Sequence, residues 1–95
     1  MKAIKFSESD HIYLVGIGGS GMSPLAKIFL EKGYRVSGAD LKDSIHTIRL
    51  KDLGATVFYE HHERNLCGVD YVVCSGAISE TNPERVAAEK QGIPV

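Results

Sequence analysis

Val15-Gly16-Ile17-Gly18-Gly19-Ser20-Gly21-Met22-Ser23 follows the apolar run Ile12-Tyr13-Leu14-Val15 and leads into a segment with apolar residues at Met22, Leu25, Ala26, Phe29 and Leu30. An uninterrupted apolar run reads as a strand covered on both faces. Spacings of three and four residues read as one stripe of a helix. The stretch between them satisfies G-x-G-x-x-G in the context where that pattern has physical meaning, after a strand and before a helix. Gly16 would make the tight turn out of the strand, Gly18 would let a pyrophosphate approach the backbone, and Gly21 would allow close packing of helix on sheet. The helix N-terminus would then offer unpaired N–H groups to an anion.

Outward from this turn, short apolar runs alternate with amphipathic segments, the pattern of β-α-β units on a parallel sheet. A second strand is expected over residues 34–38, ending at Asp40, and a helix from Ser44 to about Leu53, stopped by Gly54. A third strand covers 56–59, a polar stretch at 61–65 leads through one helical turn, and a fourth strand covers 71–74. Asn82-Pro83-Glu84 supplies an N-cap, a proline at the first helical position and an acidic first-turn residue, opening a last helix that ends at Gly92. Ile93-Pro94-Val95 reads as the start of a fifth strand. The expected fold is an α/β, Rossmann-like open parallel sheet of four to five strands with flanking helices. Residues 1–95 form a single domain, expected to be part of a longer protein.

Composition excludes several function classes. With 11 Lys+Arg against 12 Asp+Glu the formal net charge is -1, which supplies no dense cationic face for nucleic acid. The 43% hydrophobic content supports a folded core. No apolar run approaches a bilayer-spanning length, and the N-terminus has no signal-peptide pattern, so a cytoplasmic protein without membrane association is expected. Cys67 and Cys74 match no zinc spacing and read as reduced thiols. His61 and His62 are adjacent and lack the further ligands a metal site requires, so no metal is expected. Ser20 and Ser23 have no base spaced to activate them and read as phosphate-binding hydroxyls.

Asp40 lies 19 residues beyond Gly21, at the end of the second strand. There a dinucleotide-binding fold places the carboxylate that accepts hydrogen bonds from a ribose. A negative charge does not attract phosphate, so Asp40 reads as a nucleoside contact. To this point an NAD-binding domain of an oxidoreductase or regulator and a domain for another nucleotide fit equally well.

The glycine run resolves this when taken with Val36-Ser37-Gly38-Ala39-Asp40, Thr47-Ile48-Arg49-Leu50, Leu53-Gly54-Ala55, His61, Ser75-Gly76-Ala77-Ile78, Asn82-Pro83-Glu84 and Gly92-Ile93-Pro94-Val95. From His11 to Val95 the chain resembles the N-terminal domain of the Mur ligases, most nearly those that add L-alanine to UDP-N-acetylmuramate. The resemblance implies a Rossmann-like domain that binds the UDP part of that sugar nucleotide. Gly16, Ile17, Gly18, Gly19, Ser20, Gly21, Met22 and Ser23 would hold the diphosphate, with backbone N–H groups offered from Gly18 to Ser23. Asp40 and Leu41, supported by Thr47 and Arg49, would hold the uridine. His61, Ser75, Gly76, Ala77 and Ile78 would lie toward the sugar. Pro24, Glu60 and Gly76 depart from residues usual in the family. The complete ligases take ATP and Mg2+ in other domains and form an amide through an acyl phosphate. No G-K-[ST] phosphate loop occurs here, so this chain is expected to bind and not to catalyse, with the remaining ligase domains as its partners in cis. The related peptide-recycling ligases are the nearest alternative within the family.

Overall fold

The computed structural model describes residues 10–75 and 78–95. Four parallel strands, β1 (His11–Val15), β2 (Arg35–Ala39), β3 (Thr56–Phe58) and β4 (Tyr71–Cys74), form one sheet in the order β3-β2-β1-β4. The helices are α1 (Met22–Glu31), α2 (Ile45–Asp52) and α3 (Pro83–Gln91), and a short 3-10 turn runs over Glu63–Leu66.

The apolar run of β1 is explained by its central place. Ile12, Tyr13, Leu14 and Val15 are all fully buried, and their side chains alternate between two cores. Ile12 and Leu14 pack with Ile17, Met22, Ala26 and Leu50 on the α1–α2 face. Tyr13 and Val15 pack with Leu66, Val72, Ala87 and Ala88 on the opposite face, beneath α3 and the 3-10 turn. Successive residues of a strand point to opposite faces, so one short apolar strand anchors both layers.

Helix boundaries follow local chemistry. The Ser44 hydroxyl accepts from the Thr47 N–H at 3.3 Å while the Thr47 hydroxyl accepts from the Ser44 N–H at 2.8 Å, a reciprocal cap that starts α2. Asn82 Oδ1 accepts from the N–H groups of Glu84 and Arg85 at 2.9 and 3.2 Å and starts α3. Gly92, with φ of +70°, ends that helix. Asn82→Ala is expected to lower stability by about 1 kcal/mol, read as a lower urea midpoint with unchanged slope.

Residues 93–95 form no strand, although the Pro94 carbonyl accepts from the Val72 N–H at 2.9 Å. The segment therefore lies against the outer edge of β4 in the place expected of a fifth strand, held there by that bond. Proline offers no donor with which to extend a ladder. The third strand ends at Phe58, one residue earlier than its apolar run suggests.

The chain runs from β1 to β2 to β3 on one side of β1 and places β4 on the other. The strand order reverses beside β1, and in open parallel sheets ligands gather at such a point, outside the carboxyl ends of the strands. The glycine turn leaves β1 at that point.

Candidate functional site

The turn is tied down by its own backbone. Gly16 has a φ of +78°, which a residue with a side chain adopts only under strain. Its N–H and that of Ile17 both donate to the Ala39 carbonyl, at 2.8 and 3.1 Å, fastening the turn to the end of β2. The Gly18 N–H donates to Asp40 Oδ2 at 2.9 Å. Gly19 donates to the Gly16 carbonyl, while Met22 and Ser23 donate to the Gly19 carbonyl. Pro24 has no N–H to give. The N–H groups of Ser20 and Gly21 have no acceptor among the described residues, and both residues are exposed. Four of the six N–H groups from Gly18 to Ser23 are thus engaged within the protein. In this conformation the backbone donors left for an anion are those of Ser20 and Gly21, at the mouth of α1. Ile17 and Met22 turn their side chains into the core and hold the turn from beneath.

The glycines also divide the work differently from expectation. A Cβ at Gly21 would meet nothing within 4 Å among the described residues, so this position is not where helix and sheet pack closely. The tightest approach is instead between β2 and the chain leaving β1, at Gly38, where a Cβ would lie 2.4 Å from the Leu14 carbonyl oxygen and 2.7 Å from Ile17 Cβ. At Gly18 a Cβ would lie 2.7 Å from Asp40 Oδ2 and 2.9 Å from Thr47 Cγ2. The protein itself already needs the space that the motif logic reserves for a pyrophosphate.

Asp40 follows β2, its N–H donating to the Phe58 carbonyl at 3.0 Å. With Oδ2 committed to Gly18, the carboxylate has a second oxygen for a ligand. Beside it Leu41 is 66% exposed, an apolar side chain standing at the carboxyl edge of the sheet. Thr47 is fully buried, with its hydroxyl engaged by Asp43 and the cap of α2, so its part is to hold the helix start and pack against Gly18. Asp43 also accepts from the Tyr59 hydroxyl at 2.9 Å, and Lys51 Nζ lies 2.5 Å from that hydroxyl. These bonds from Thr47 and Tyr59 hold the Asp43 carboxyl below its ordinary range, while the Tyr59 contact raises Lys51.

Arg49 lines the same groove as Ser20 and Ser23. A groove of about 610 Å³ between α1 and α2 is lined by Ser20, Ser23, Lys27, His46 and Arg49 among others. Its lining carries the cationic Lys27 and Arg49 and the acidic Asp52, and Lys27 is a residue that the motif spacing does not single out.

Ile78 packs beside the start of the glycine turn. Its Cδ1 lies 3.6 Å from where a Gly16 Cβ would be, and its N–H donates to the Ser75 carbonyl at 3.1 Å. Gly76 and Ala77 lie outside the described residues. His61, beyond β3, does not stand alone, because Nδ1 is 2.5 Å from Oε1 of Glu84 in the first turn of α3. Glu84 has no exposed surface; burial pushes its carboxyl up to about 7, and the His62 backbone N–H offsets part of that rise. Asn65 Nδ2 donates to Glu84 Oε2 at 3.0 Å and lies 3.2 Å from the Tyr13 hydroxyl. Glu84 reads in sequence as a first-turn acid. The available signal is its spacing of three and four residues from Ala87 and Ala88, which puts it on the buried stripe of α3.

Among the described residues no group of three or more His, Cys, Asp or Glu side chains could hold a metal ion, and no helix is long and apolar enough to cross a membrane.

Comparison with known proteins agrees with the geometry. The family model described as "Mur ligase family, catalytic domain" matches residues 11–95. The UDP-N-acetylmuramate--L-alanine ligase of Desulfosudis oleivorans is 53% identical over 90 residues, covering 95% of this chain and 20% of that protein. The crystal structure of UDP-N-acetylmuramate-alanine ligase from Thermotoga maritima superposes with a TM-score of 0.83 at 34% identity, over 88% of this chain and 20% of that one. A UDP-N-acetylmuramate:L-alanyl-gamma-D-glutamyl-meso-diaminopimelate ligase from Neisseria meningitides gives 0.82 at 30% identity, over 90% of this chain and 28% of that one. The chain spans about a fifth of the length of the curated relatives it matches. Motif, topology and these likenesses lead to one conclusion: this chain belongs to the Mur ligase family.

Proposed function

We propose that residues 1–95 form the N-terminal domain of an ATP-dependent ligase that adds L-alanine to UDP-N-acetylmuramate in peptidoglycan precursor synthesis, and that this domain binds the UDP moiety. The observation that carries the reading is the glycine turn at the reversal of strand order, with the Ser20 and Gly21 donors free of described acceptors. Its context is a sequence about half identical to ligases named for that substrate.

The diphosphate would accept from the Ser20 and Gly21 N–H groups and the Ser20 and Ser23 hydroxyls. The positive end of α1 and the cations Lys27 and Arg49 would supply charge complementarity. Arg49 suits the phosphates better than the uracil, since it lines the same groove as the serines. The second Asp40 oxygen would accept from the ribose or from the uracil N–H, with Leu41 offering an apolar surface to the base. His61, Ser75 and Ile78 would lie toward the muramyl sugar.

The residues described here do not fit an ATP–magnesium site, having neither an acidic cluster nor a G-K-[ST] loop. The acyl-phosphate chemistry, ATP, Mg2+ and the choice of amino acid belong in this reading to further domains of a cytoplasmic enzyme. Titration calorimetry with UDP-N-acetylmuramate, UDP and NAD tests the assignment. The two uridine nucleotides are expected to bind more tightly than NAD, and equal or tighter NAD binding would overturn it.

A further inference from the structure

The groove between α1 and α2 extends well past the two serines assigned to the diphosphate, and its apolar part has no use for a nucleotide. We propose that this groove is a binding site for a small amphipathic anion, a single-tailed phosphate monoester. Its phosphate sits at the Ser20 and Ser23 end and its tail lies along Pro24, Leu50 and Leu53, so that it excludes a uridine nucleotide while bound. The exclusion half of this rests on the uridine-nucleotide reading above.

Residue spacing makes the groove. Ser20, Ser23 or Pro24, and Lys27 recur every three to four residues on the α1 side, as His46, Arg49 or Leu50, and Leu53 do on the α2 side. Each set is one helical stripe, and the two stripes line the same space. Small side chains at positions 20 and 23 leave room that close-packed helices would fill. The volume of about 610 Å³ falls within the roughly 300–1,000 Å³ of small-molecule sites. Leu50, a member of the core at 3% exposure, forms its floor, while Pro24 and Leu53 are exposed.

Several polar groups of the lining are unmet within the protein. Ser23 is only 7% exposed, yet its hydroxyl makes no hydrogen bond among the described residues. A buried hydroxyl without a partner is costly, and an acceptor in the groove would relieve it. The Ser20 N–H likewise has no described acceptor. Lys27 lies 4.0 Å from Glu31, whereas Arg49 forms no ion pair among the described residues. A bare inorganic anion would answer these groups and leave Pro24, Leu50 and Leu53 uncovered. An uncharged apolar molecule would do the reverse. One molecule with an anionic head and an apolar body satisfies both.

The order of charges along the helices sets the direction of that molecule. Each of α1 and α2 follows a strand of the same parallel sheet, so both begin at its carboxyl edge. Their positive dipole ends therefore lie at one end of the groove. His46 is in the first turn of α2 and Arg49 one turn on, while the acids Asp52 and Glu31 close the far ends of the two helices. An anion is favoured at the serine end and repelled from the other. That leaves the apolar tail to run toward Leu53, at the end of α2.

The test titrates the 15N-labelled 95-residue chain with octyl phosphate below its micelle concentration, with inorganic phosphate and with octyl glucoside, reading backbone amide shifts by NMR. Octyl phosphate should shift Ser20, Ser23 and Leu53 together and saturably, and bind at least about tenfold more tightly than either other probe. UDP should displace it. Leu53→Ser, at an exposed position, should weaken octyl phosphate by about tenfold and leave inorganic phosphate and UDP unchanged. Arg49→Gln should weaken both phosphates and leave octyl glucoside unchanged. Equal binding of the three probes, octyl phosphate shifts that do not reach Leu53, or an affinity indifferent to either variant overturns the proposal. So does capture by phosphatidic acid vesicles without binding of monomeric octyl phosphate, which would mean a membrane surface instead. Simultaneous binding of UDP and octyl phosphate overturns the exclusion. If UDP does not bind at all, the nucleotide reading falls with the exclusion, while the octyl phosphate shifts still decide the groove.

Discussion

Gly38→Ala is expected to be the most damaging single-methyl substitution in the sheet, while the same change at Gly21 leaves stability nearly untouched. At Gly38 the added carbon would sit 2.4 Å from the Leu14 carbonyl oxygen, 2.7 Å from Ile17 Cβ and 2.9 Å from Ile17 Cδ1. The first two can retreat only if the main chain moves. Leu14 is paired with Gly38 in the β1–β2 ladder, and Ile17 is anchored through its N–H to the Ala39 carbonyl. Relief would therefore have to open the ladder or lift the glycine turn. Overpacking of a tight site costs about 1–3 kcal/mol, and a clash with backbone belongs at the upper end. Against a total stability of roughly 5–15 kcal/mol for a domain, that corresponds to a thermal midpoint lower by more than about 10 °C at this size. At Gly21 a Cβ meets open space among the described residues, and the backbone is right-handed helical with φ of -90°. Alanine there removes unfolded-state freedom and should be neutral or stabilising by a few tenths of a kcal/mol. Thermal unfolding of the two variants side by side checks this, and equal midpoints would mean that the turn does not lie against β2 as described.

This pair of glycines marks where the sequence ceases to be legible. The motif names Gly16, Gly18 and Gly21 by position, and Gly16 does make the turn out of β1. Nothing local distinguishes Gly38 from any small residue in a strand. Its requirement arises because the chain leaving β1 folds back over β2, a tertiary fact. The strand-helix alternation, the N-caps at Ser44 and Asn82 and the buried run of β1 are readable because each is set by neighbours within a few residues. The anion donors are less so. A glycine-rich turn before a helix implies several free N–H groups, but six residues of the run have theirs taken by Ala39, Asp40, Gly16 and Gly19. Glu84 is hidden for a related reason. Asn82-Pro83-Glu84 is fully explained as a helix start, and only the packing of α3 against the 3-10 turn makes its third member the partner of His61.

Asp40→Ala should weaken binding of UDP and of inorganic pyrophosphate together, UDP more. Position in the sequence suggests a carboxylate that reads the nucleoside and has no share in the phosphate site. On the proposed reading the bond from the Gly18 N–H to Oδ2 gives it one, because it sets the middle of the turn whose next residues carry the free donors. Two effects oppose each other on pyrophosphate. Removing a negative charge relieves a repulsion worth about 1 kcal/mol at 4 Å in water and less in salt. Losing a hydrogen bond to a charged group costs about 1.5–3 kcal/mol, part of it paid as disorder in the turn. The second effect is the larger, so pyrophosphate binding should fall modestly. UDP would on the same reading lose the nucleoside contact as well and should fall by roughly ten- to a hundredfold. Asp40→Asn separates the roles, since its amide oxygen still accepts from Gly18 while the charge is gone. For that variant pyrophosphate should bind as well as or slightly better than to wild type, and UDP should still be weakened. Calorimetry with both ligands on all three proteins makes the comparison. If Asp40→Ala leaves pyrophosphate binding at the wild-type level while UDP falls, Asp40 only reads the nucleoside and the Gly18 bond carries no weight in the anion site. If neither ligand notices the change, the two bonds to the Ala39 carbonyl suffice to shape the turn, and the uridine must be held elsewhere.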